Sequence, residues 1–300
     1  GQRVVLAIGG ALALACCAAV TRTQVGYWSN SETLFRRAVK VTKNNYLAYN
    51  NLGYYLSGEG RVEEAMANYR ISLQINPSYE DAHNNLGYAL AGQGKYEEAL
   101  PHYQAALRVK PNHPEVHNNL GIALASLGKV DEAIAHYLTA LRQNPDHADA
   151  HCNLGVALAM KGQLEEAIHH LQEAIRLKPK DTSAHSNLGN ALAAQRKFDE
   201  AIEHYLISLR LKRDEPETHN NLANVFAEKG RLNEAVEHYG EALKLNPKNP
   251  ETHYNLGIAL ARQGKREDAA AHFSEALRLK PGYVEAQKQL RALSEPSQRK

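Results

Sequence analysis

The chain carries a pattern of apolar and polar positions that returns every 34 residues. Within each period, apolar residues recur three and four positions apart in two separate stretches, which is the spacing of two amphipathic helices. The phrase AHNNLG at residues 82–87 shows the register, and its leucine returns at Leu52, Leu86, Leu120, Leu154, Leu188, Leu222, Leu256 and Leu290. The pattern therefore predicts a stack of helix pairs rather than one globular core.

Other positions keep the same phase and mark where each helix ends. Gly or Ala follows the leucine, an Ala and then an aromatic residue occur in most second helices, and a proline closes most units. These prolines are Pro77, Pro111, Pro145, Pro179, Pro247 and Pro281. A 34-residue period with two helices per unit is the signature of tetratricopeptide (TPR) repeats. The sequence thus predicts an all-α TPR α-solenoid, a right-handed superhelix of helix-turn-helix repeats.

The period divides the chain into four parts. Residues 1–26 form an apolar helix and a junction, residues 27–45 a half repeat, residues 46–281 seven TPR repeats of 34 residues, and residues 282–300 a capping helix and tail. The half repeat is a second helix alone, because Phe35 aligns with Tyr69 when the sequence is shifted by one period. Ser29 and Glu32 have the spacing of a capping box that would open this helix.

An uncharged apolar stretch runs from Val4 to Val20 near the start of the chain. Its 17 residues reach the lower limit for a helix that spans a bilayer, so we expect a transmembrane helix that tethers the repeats. A signal peptide with a cleavage site at Ala13–Ala15 and a buried soluble helix are the alternatives. Trp28 follows closely and is expected at the membrane interface, where Trp is enriched.

Composition and charge narrow the classes of function. The formal net charge is +2, from 35 Lys and Arg against 33 Asp and Glu. The cations do not collect along one helix face, so the sequence predicts no nucleic-acid partner. Three cysteines, two of them adjacent at Cys16 and Cys17, cannot build a disulfide framework.

Fifteen histidines raise the question of a metal site. Twelve of them fall into two registers, namely His83, His117, His151, His185, His219 and His253, and then His102, His136, His170, His204, His238 and His272. Successive members of one register are one repeat apart, roughly 10 Å, which is too far to share a metal ion. We therefore interpret them as packing residues, leave contacts within a repeat open, and predict no metal and no cofactor.

Cys152 beside His151 is a candidate nucleophile with a neighbouring base. Adjacent side chains on a helix diverge, however, and no oxyanion donor is marked nearby. Cys152 also stands at the position that Asn84 and Asn118 occupy in earlier repeats. We predict no catalytic residue and no enzyme activity in this chain.

The asparagine before each leucine is the candidate functional residue. Leu52 and Leu56 must pack inward, so Asn51 is turned roughly 100° away, toward the inner surface of the superhelix. A carboxamide offers one acceptor and two donors, which match the C=O and N–H of a peptide irrespective of its sequence. The predicted groove residues are Asn51, Asn85, Asn119, Asn153, Asn187, Asn221 and Asn255, with Asn50, Asn84, Asn118 and Asn220 beside them. Alternatively, these amides bond to one another or to neighbouring backbone and set the superhelical pitch.

The fifth repeat departs most from the pattern. Arg196 replaces the glycine between its two helices, and Arg213 replaces its closing proline. A glycine and a proline at these two positions restrict the conformation of the connections between helices. Because the fifth repeat lacks both, we expect it to unfold locally before the other repeats.

Two families share these residues. The repeat phrase with its asparagines resembles the TPR superhelix of O-GlcNAc transferase over Tyr46–Leu290, which implies asparagines that hold peptide backbone. Trp28, Glu32, Leu34 and Phe35 resemble the segment that follows the last membrane span in transmembrane-and-TPR protein O-mannosyltransferases and their bacterial relatives. That resemblance implies an extracytoplasmic TPR domain, periplasmic or luminal, and catalytic residues upstream of Gly1.

We therefore predict a membrane-tethered protein-binding module. Its asparagine-lined concave groove would hold an extended polypeptide or protein partner and recruit substrate for a membrane glycosyltransferase. A scaffold without a groove function and a singly anchored adaptor are the alternatives, and no oligomeric state is predicted.

Overall fold

The computed structural model describes residues 30–294 together with Cys17, Thr21, Gly26 and Trp28. The predicted span Val4–Val20, apart from the exposed Cys17, and the tail from Pro296 to Lys300 lie outside the described residues. Where the structure is described, no helix combines the length and the apolar character that crossing a bilayer requires.

The described residues form sixteen α-helices and no strand. The helices are α1 Ser31–Val41, α2 Tyr46–Gly58, α3 Val62–Ile75, α4 Glu80–Gly92, α5 Tyr96–Val109, α6 Pro114–Ser126, α7 Val130–Gln143, α8 Ala148–Met160, α9 Leu164–Leu177, α10 Thr182–Ala194, α11 Phe198–Leu211, α12 Pro216–Glu228, α13 Leu232–Leu245, α14 Pro250–Arg262, α15 Arg266–Leu279 and α16 Val284–Ser294. Helices α2 to α15 make seven pairs, each a first helix of 13 residues and a second of 14. The all-α TPR solenoid predicted from the period is confirmed.

The chain divides into two compact units, residues 1–145 and residues 146–300. The described part of the N-terminal unit contains α1 to α7, and that of the C-terminal unit contains α8 to α16. In each unit the first helix of a repeat packs on its own second helix, and that second helix packs on the first helix that follows. The core is therefore elongated, and in the C-terminal unit the buried residues form one continuous cluster from Cys152 to Phe273.

One repeat shows why the helices pair so closely. The side chain of Tyr103 on α5 is buried against α4 beside Gly87, where a β-carbon would lie 2.8 Å from the ring. Leu86, Leu90 and Ala99 complete this cluster and are also buried. Only a very small residue lets the two helices approach this far, which explains the Gly that follows the leucine in most repeats and Ala223 in the sixth.

A residue in the left-handed conformation makes each sharp turn between paired helices. Gly94, Gly128 and Gly162 take φ values of 75°, 77° and 75°. Arg196 holds φ at 62° in the fifth repeat, although it carries a side chain. Helices α10 and α11 nevertheless keep the usual lengths of 13 and 14 residues. The missing glycine therefore leaves the fold unchanged and adds backbone strain.

The half repeat begins differently from the prediction. Helix α1 starts at Ser31, and Asn30 is its cap, whose Oδ1 accepts from the N–H of Thr33 at 2.9 Å. The expected capping box of Ser29 and Glu32 is wrong, because the Glu32 carboxylate is held by Arg36 and Arg61, each at 2.8 Å. Two guanidinium groups outcompete the backbone for this carboxylate. Helix α1 packs on α2, as a second helix should.

Candidate functional site

The candidate site is the surface formed by one side of the first helices. We define this first-helix face by the positions of Asn51 and Tyr54 and by the residues at intervals of 34 from each of them. Small residues such as Ser57 and Gly58 lie one turn further along α2. Within each unit, this face therefore presents carboxamides from successive first helices.

In the N-terminal unit, amides link one first helix to the next. The Nδ2 of Asn85 donates to Asn50 Oδ1 at 3.0 Å, and the Nδ2 of Asn119 donates to Asn84 Oδ1 at 3.1 Å. Asn50 itself donates to the exposed Asn51 at 3.4 Å. The structure thus brings the two predicted groups of asparagines together, in the arrangement that the pitch-setting alternative describes.

The C-terminal unit uses a different acceptor. Asn221 donates to Asn190 Oδ1 at 2.9 Å, and Asn255 donates to Asn224 Oδ1 at 3.2 Å. The same two oxygens accept from tyrosine hydroxyls, at 2.7 Å for Asn190 and 2.6 Å for Asn224. Asn190 and Asn224 were missed from the sequence, although their place in the register of Tyr54 could have indicated them.

Three predicted asparagines have other surroundings. Asn187 donates to the sulfur of Cys152 at 3.8 Å, so a thiol replaces the amide acceptor at that point. Asn220 donates to Asn221 at 3.4 Å and accepts from the hydroxyl of Thr252 at 3.1 Å. Asn118 is buried and Asn153 is half-buried, and both have an interaction partner.

The amide bonds leave hydrogen-bonding capacity on the face. Each bond uses one N–H of the donating asparagine, and a carboxamide has a second N–H and an oxygen with two lone pairs. Across the described residues, no group donates to the Oδ1 of Asn85 or of Asn255. Both residues are half-buried. They keep an acceptor and a donor for a ligand, while their orientation is fixed by the neighbouring repeat.

Two cavities open on this face in the N-terminal unit, on either side of Tyr54. One measures about 310 Å³ and is lined by Tyr54, Ser57, Gly58, Tyr69, Asn85 and Tyr88. The other measures about 480 Å³ and is lined by Ser31, Phe35, Asn51, Tyr54, Tyr55, Gly58 and Glu59. The rings of Tyr54 and Tyr88 are 70% and 62% exposed, which is unusual for aromatic side chains.

The twelve periodic histidines form six pairs within repeats. In each pair the two Nδ1 atoms lie 2.9 to 3.0 Å apart, in His83–His102, His117–His136, His151–His170, His185–His204, His219–His238 and His253–His272. In the His83 pair, the first-helix Nε2 also lies 3.0 Å from the carbonyl oxygen of Pro77. A carbonyl only accepts, so this Nε2 carries a proton, its Nδ1 accepts, and His102 donates. The sequence left contacts within a repeat open, and this direct bond between rings was missed.

Burial lowers the pKa of the second-helix histidines. The direction holds for His102, His136, His204, His238 and His272, and for His170 the value falls to about 4. The positive charge of the partner ring adds to the effect of burial in each case. No group of three or more His, Cys, Asp or Glu side chains in the described part of the chain could hold a metal ion.

Cys152 lies in the packing between helices. Burial raises the pKa of its thiol to about 11. Because a nucleophilic cysteine needs the thiolate, this shift is opposite to the one that catalysis requires. The interpretation of Cys152 as a residue that fills an asparagine position agrees with its bond to Asn187.

The helix pairs and the glycine-to-ring contacts define a TPR protein. A family model for a TPR repeat matches residues 59–94. A second model, described as the cilia and flagella-associated protein 70 C-terminal domain, matches residues 80–293. The chain belongs to this second family, since the match covers well over half of its length.

Solved structures agree with this assignment. PilF of Pseudomonas aeruginosa is 25% identical with a TM-score of 0.64, over 71% of this chain and 97% of its own. A thermophilic TPR protein from Thermus thermophilus is 30% identical with a TM-score of 0.51, over 61% of this chain and 99% of its own. YrrB, described as a TPR protein with an unusual peptide-binding site, is 21% identical with a TM-score of 0.52, over 63% and 97%. No curated protein matches the chain.

Proposed function

We propose that the first-helix face binds an extended polypeptide through its asparagines. The observation that carries this proposal is the unused acceptor of Asn85 and Asn255, each on a carboxamide already oriented by a bond to the adjacent repeat. An extended chain presents one C=O and one N–H per residue and satisfies neither internally. The two groups are therefore complementary whatever the ligand's side chains are.

Orientation of the amides strengthens this complementarity. A side chain that is already fixed loses little conformational freedom when it binds, so more of the hydrogen-bond energy contributes to affinity. The TPR fold supports a role in protein binding in general. YrrB shares this fold and is described by its peptide-binding site, but at 21% identity its likeness shows the fold alone.

A structural role is the second candidate, and the same amide bonds favour it. Bonds such as Asn119 to Asn84 join successive first helices and could serve only to set the pitch. Asn119 is 6% exposed and offers little surface to a ligand. The two roles differ in what happens to stability when the amides are removed.

The membrane tether and the transferase role complete the proposal. In it, Val4–Val20 anchors the repeats on the extracytoplasmic side, and the bound polypeptide is substrate for a membrane glycosyltransferase. The 76% exposed side chain of Trp28 is available to a lipid interface. The resemblances to O-mannosyltransferases and to O-GlcNAc transferase stay predictions, as does this localisation.

The test compares two amide variants with a matched control. Asn85→Ala and Asn255→Ala each remove one ligand acceptor, whereas Asn68→Ala removes an amide on second helix α3 that bonds the Glu64 carbonyl of the same helix. Binding of a labelled, unstructured Ser-Ala peptide to the 300-residue chain is measured by fluorescence anisotropy. We expect affinity to fall by about 0.5–1.5 kcal/mol per lost bond for the first two variants and to stay unchanged for the third.

Melting temperatures separate the two candidate functions. For a binding face, the variants at Asn85 and Asn255 lose peptide affinity, and their melting temperatures fall only by the small amount that one lost bond to Asn50 or Asn224 explains. A large drop in melting temperature with unchanged peptide affinity would support the scaffold role and reject the binding role.

A further inference from the structure

The two cavities beside Tyr54 have more specific chemistry than the rest of the first-helix face. Tyr54 and Gly58 line both of them, so the cavities are neighbours that share a wall. Further aromatic side chains line each cavity, Tyr69 and Tyr88 in the smaller and Phe35 and Tyr55 in the larger. One amide also lies in each, from Asn85 and Asn51 respectively. A ligand that crosses Tyr54 would therefore meet aromatic faces and amides in alternation.

The spacing of this alternation selects a backbone conformation. Successive first helices are close enough for an amide bond such as that from Asn85 to Asn50, and the axes of packed helices lie roughly 8–10 Å apart, which we take as the spacing of the repeats along this face. A polyproline II chain advances roughly 9.3 Å in one turn of three residues, so every third residue meets the next repeat in the same way. In a β-strand, every second residue points to the same face, at intervals of roughly 6.6 Å, and this interval does not match the spacing of the repeats. An α-helix satisfies its own backbone and cannot use the amides.

The walls suit proline side chains. Proline-rich segments bind in grooves lined by aromatic rings, because the ring of proline is apolar and the polyproline II conformation is already populated in the free peptide. The hydroxyl of Tyr69 at the wall of the smaller cavity is bonded to Ser57, so the donor that this cavity offers to a backbone carbonyl is the second N–H of Asn85, which its bond to Asn50 leaves unused. Proline lacks an N–H, so the carbonyl is the group its backbone offers.

One charge completes the site. Glu59 lines the larger cavity and forms no ion pair with any Lys or Arg of the described residues. The neighbouring acids Glu32 and Glu64 are both held by Arg61. The cavity therefore contains a carboxylate that bonds the Tyr55 hydroxyl but no Lys or Arg of the described residues, so a cation from a ligand can pair with it.

We propose that the two cavities flanking Tyr54 bind a proline-rich segment in the polyproline II conformation, with a basic side chain of that segment at Glu59. This inference rests on the proposed function, since it names the class of polypeptide that the N-terminal unit selects. The proline rings lie against Phe35, Tyr54 and Tyr88, and the amides of Asn51 and Asn85 bond the backbone between them.

The experiment measures binding of short synthetic peptides to the 300-residue chain by calorimetry. One peptide repeats Pro-Pro-Ala and ends in Arg. A second replaces each Pro by Ala, and a third replaces the Arg by Gln. We expect the first peptide to bind at least about tenfold tighter than the second and about twofold to threefold tighter than the third.

A cavity-filling variant has a matched control in the next repeat. A β-carbon on Gly58 or on Gly92 would meet no atom within 4 Å, so Gly58→Leu and Gly92→Leu both fit the fold. Gly58 lines both cavities, whereas its equivalent Gly92 lines neither. We expect Gly58→Leu to lower affinity for the Pro-Pro-Ala peptide at least about tenfold and Gly92→Leu to leave it unchanged.

Single changes at Tyr54 and Glu59 test the contacts. Tyr54→Ala should lower affinity about tenfold, and Tyr54→Phe should restore most of it, because the ring face is retained. Glu59→Gln should abolish the preference for Arg over Gln in the peptide.

The outcomes separate this inference from the proposed function. Equal binding of the proline and alanine peptides, with affinity lost in the asparagine variants, would overturn the inference and keep the peptide-binding face. Loss of affinity in Gly92→Leu equal to that in Gly58→Leu would also overturn it. Absence of binding by every peptide would overturn both.

Discussion

The Nδ1 atoms of His117 and His136 lie 2.9 Å apart, in a bond that joins the first and second helices of one repeat. The Nε2 of His117 lies 2.9 Å from the carbonyl oxygen of Pro111, so its other nitrogen is the acceptor in the pair. Only one ring can gain a proton without placing two like charges in contact. Because the pair recurs six times, the repeats share one response to acid.

We expect stability to fall as the pH drops from about 6.5 toward 4. Burial, and then the charge of the partner ring, lower the pKa of second-helix histidines such as His170, to about 4 from an unperturbed value of 6.5. Between these values the unfolded chain binds more protons than the folded chain, so the stability that is complete above 6.5 is lost progressively. Melting temperatures measured between pH 7.5 and 4 check this, over a range chosen from these two pKa values.

The control for this prediction keeps the hydrogen bond and removes the titration. His136→Gln retains a donor toward His117 but cannot be protonated. Its melting temperature should depend less on pH than that of the wild type. An identical pH dependence would show that carboxylates such as Glu173, whose pKa is lowered by Arg176, dominate instead.

Gly121→Ala should destabilise the chain. A β-carbon at this position would lie 2.5 Å from Cε1 of the buried Tyr137 ring, so the ring or the helix must shift. Overpacking of this kind lowers the free energy of unfolding by about 1–3 kcal/mol. Urea denaturation measures the change. Gly92→Ala is the control, because its β-carbon meets nothing within 4 Å and alanine favours a helix.

Arg196→Gly should stabilise the fifth repeat. Arg196 holds φ at 62°, a conformation that costs a residue with a side chain about 1 kcal/mol or more. Glycine removes this strain, and the larger freedom of glycine in the unfolded chain offsets part of the gain. The opposite change at the equivalent position, Gly162→Ala at φ 75°, should destabilise the fourth repeat. Unfolding in urea compares both variants with the wild type.

Hydrogen exchange locates the strain. Backbone amides around Arg196 and Arg213 should exchange faster than those of other internal repeats, because this repeat lacks the glycine between its helices and the proline at its end. Arg196→Gly should slow the exchange near the turn. The carbonyl of Arg213 still lies 3.2 Å from Nε2 of His219, as prolines do elsewhere, so we expect the larger effect at Arg196. Equal protection of all internal repeats would contradict the prediction.

The 34-residue period sufficed to predict the helices because each repeat buries the same face. Leu86 and Tyr103 are buried, and the Tyr103 ring lies against Gly87. The same residue types recur at the same spacing in other repeats, so the pattern can be recognised many times along the chain. The cap of α1 could not be predicted, since Ser29, Asn30 and Ser31 are all good caps in isolation. Glu32, the other half of the expected capping box, instead bonds Arg36 and Arg61, and Arg61 lies 29 residues from it along the chain.

The candidate site was predicted only in part for a similar reason. Helical geometry places Asn51 and its equivalents on one face, and this can be worked out from the sequence. Which acceptor each amide finds depends on the neighbouring repeat. Asn85 bonds Asn50, whereas Asn255 bonds Asn224. The repeat before Asn255 offers the amide of Asn224 as an acceptor, and the repeat before Asn85 has Tyr54 at that position. The cavities around Tyr54 depend on the same local difference.

Asn224 couples two hydrogen bonds in the C-terminal unit. Its Oδ1 accepts from the buried hydroxyl of Tyr239 at 2.6 Å and from Asn255 at 3.2 Å. Asn224→Ala leaves that hydroxyl without a partner and should lower the free energy of unfolding by about 1–3 kcal/mol. Tyr239→Phe alone should lower the free energy of unfolding by about 0.5–1.5 kcal/mol, because this change removes the hydroxyl itself and leaves no buried donor without a partner.

The double variant decides whether these two residues act together. In the Tyr239→Phe background there is no hydroxyl that could lose its partner when Asn224 is replaced by Ala. The double variant should therefore be no less stable than Asn224→Ala. Two repeats of the C-terminal unit already lack both the asparagine and the tyrosine hydroxyl. The fourth repeat has Val156 and Leu171 at these two positions, and the seventh has Ile258 and Phe273. Urea unfolding of the four proteins gives the coupling free energy. Strictly additive losses would show that the hydroxyl of Tyr239 finds another partner and that Asn224 serves Asn255 alone.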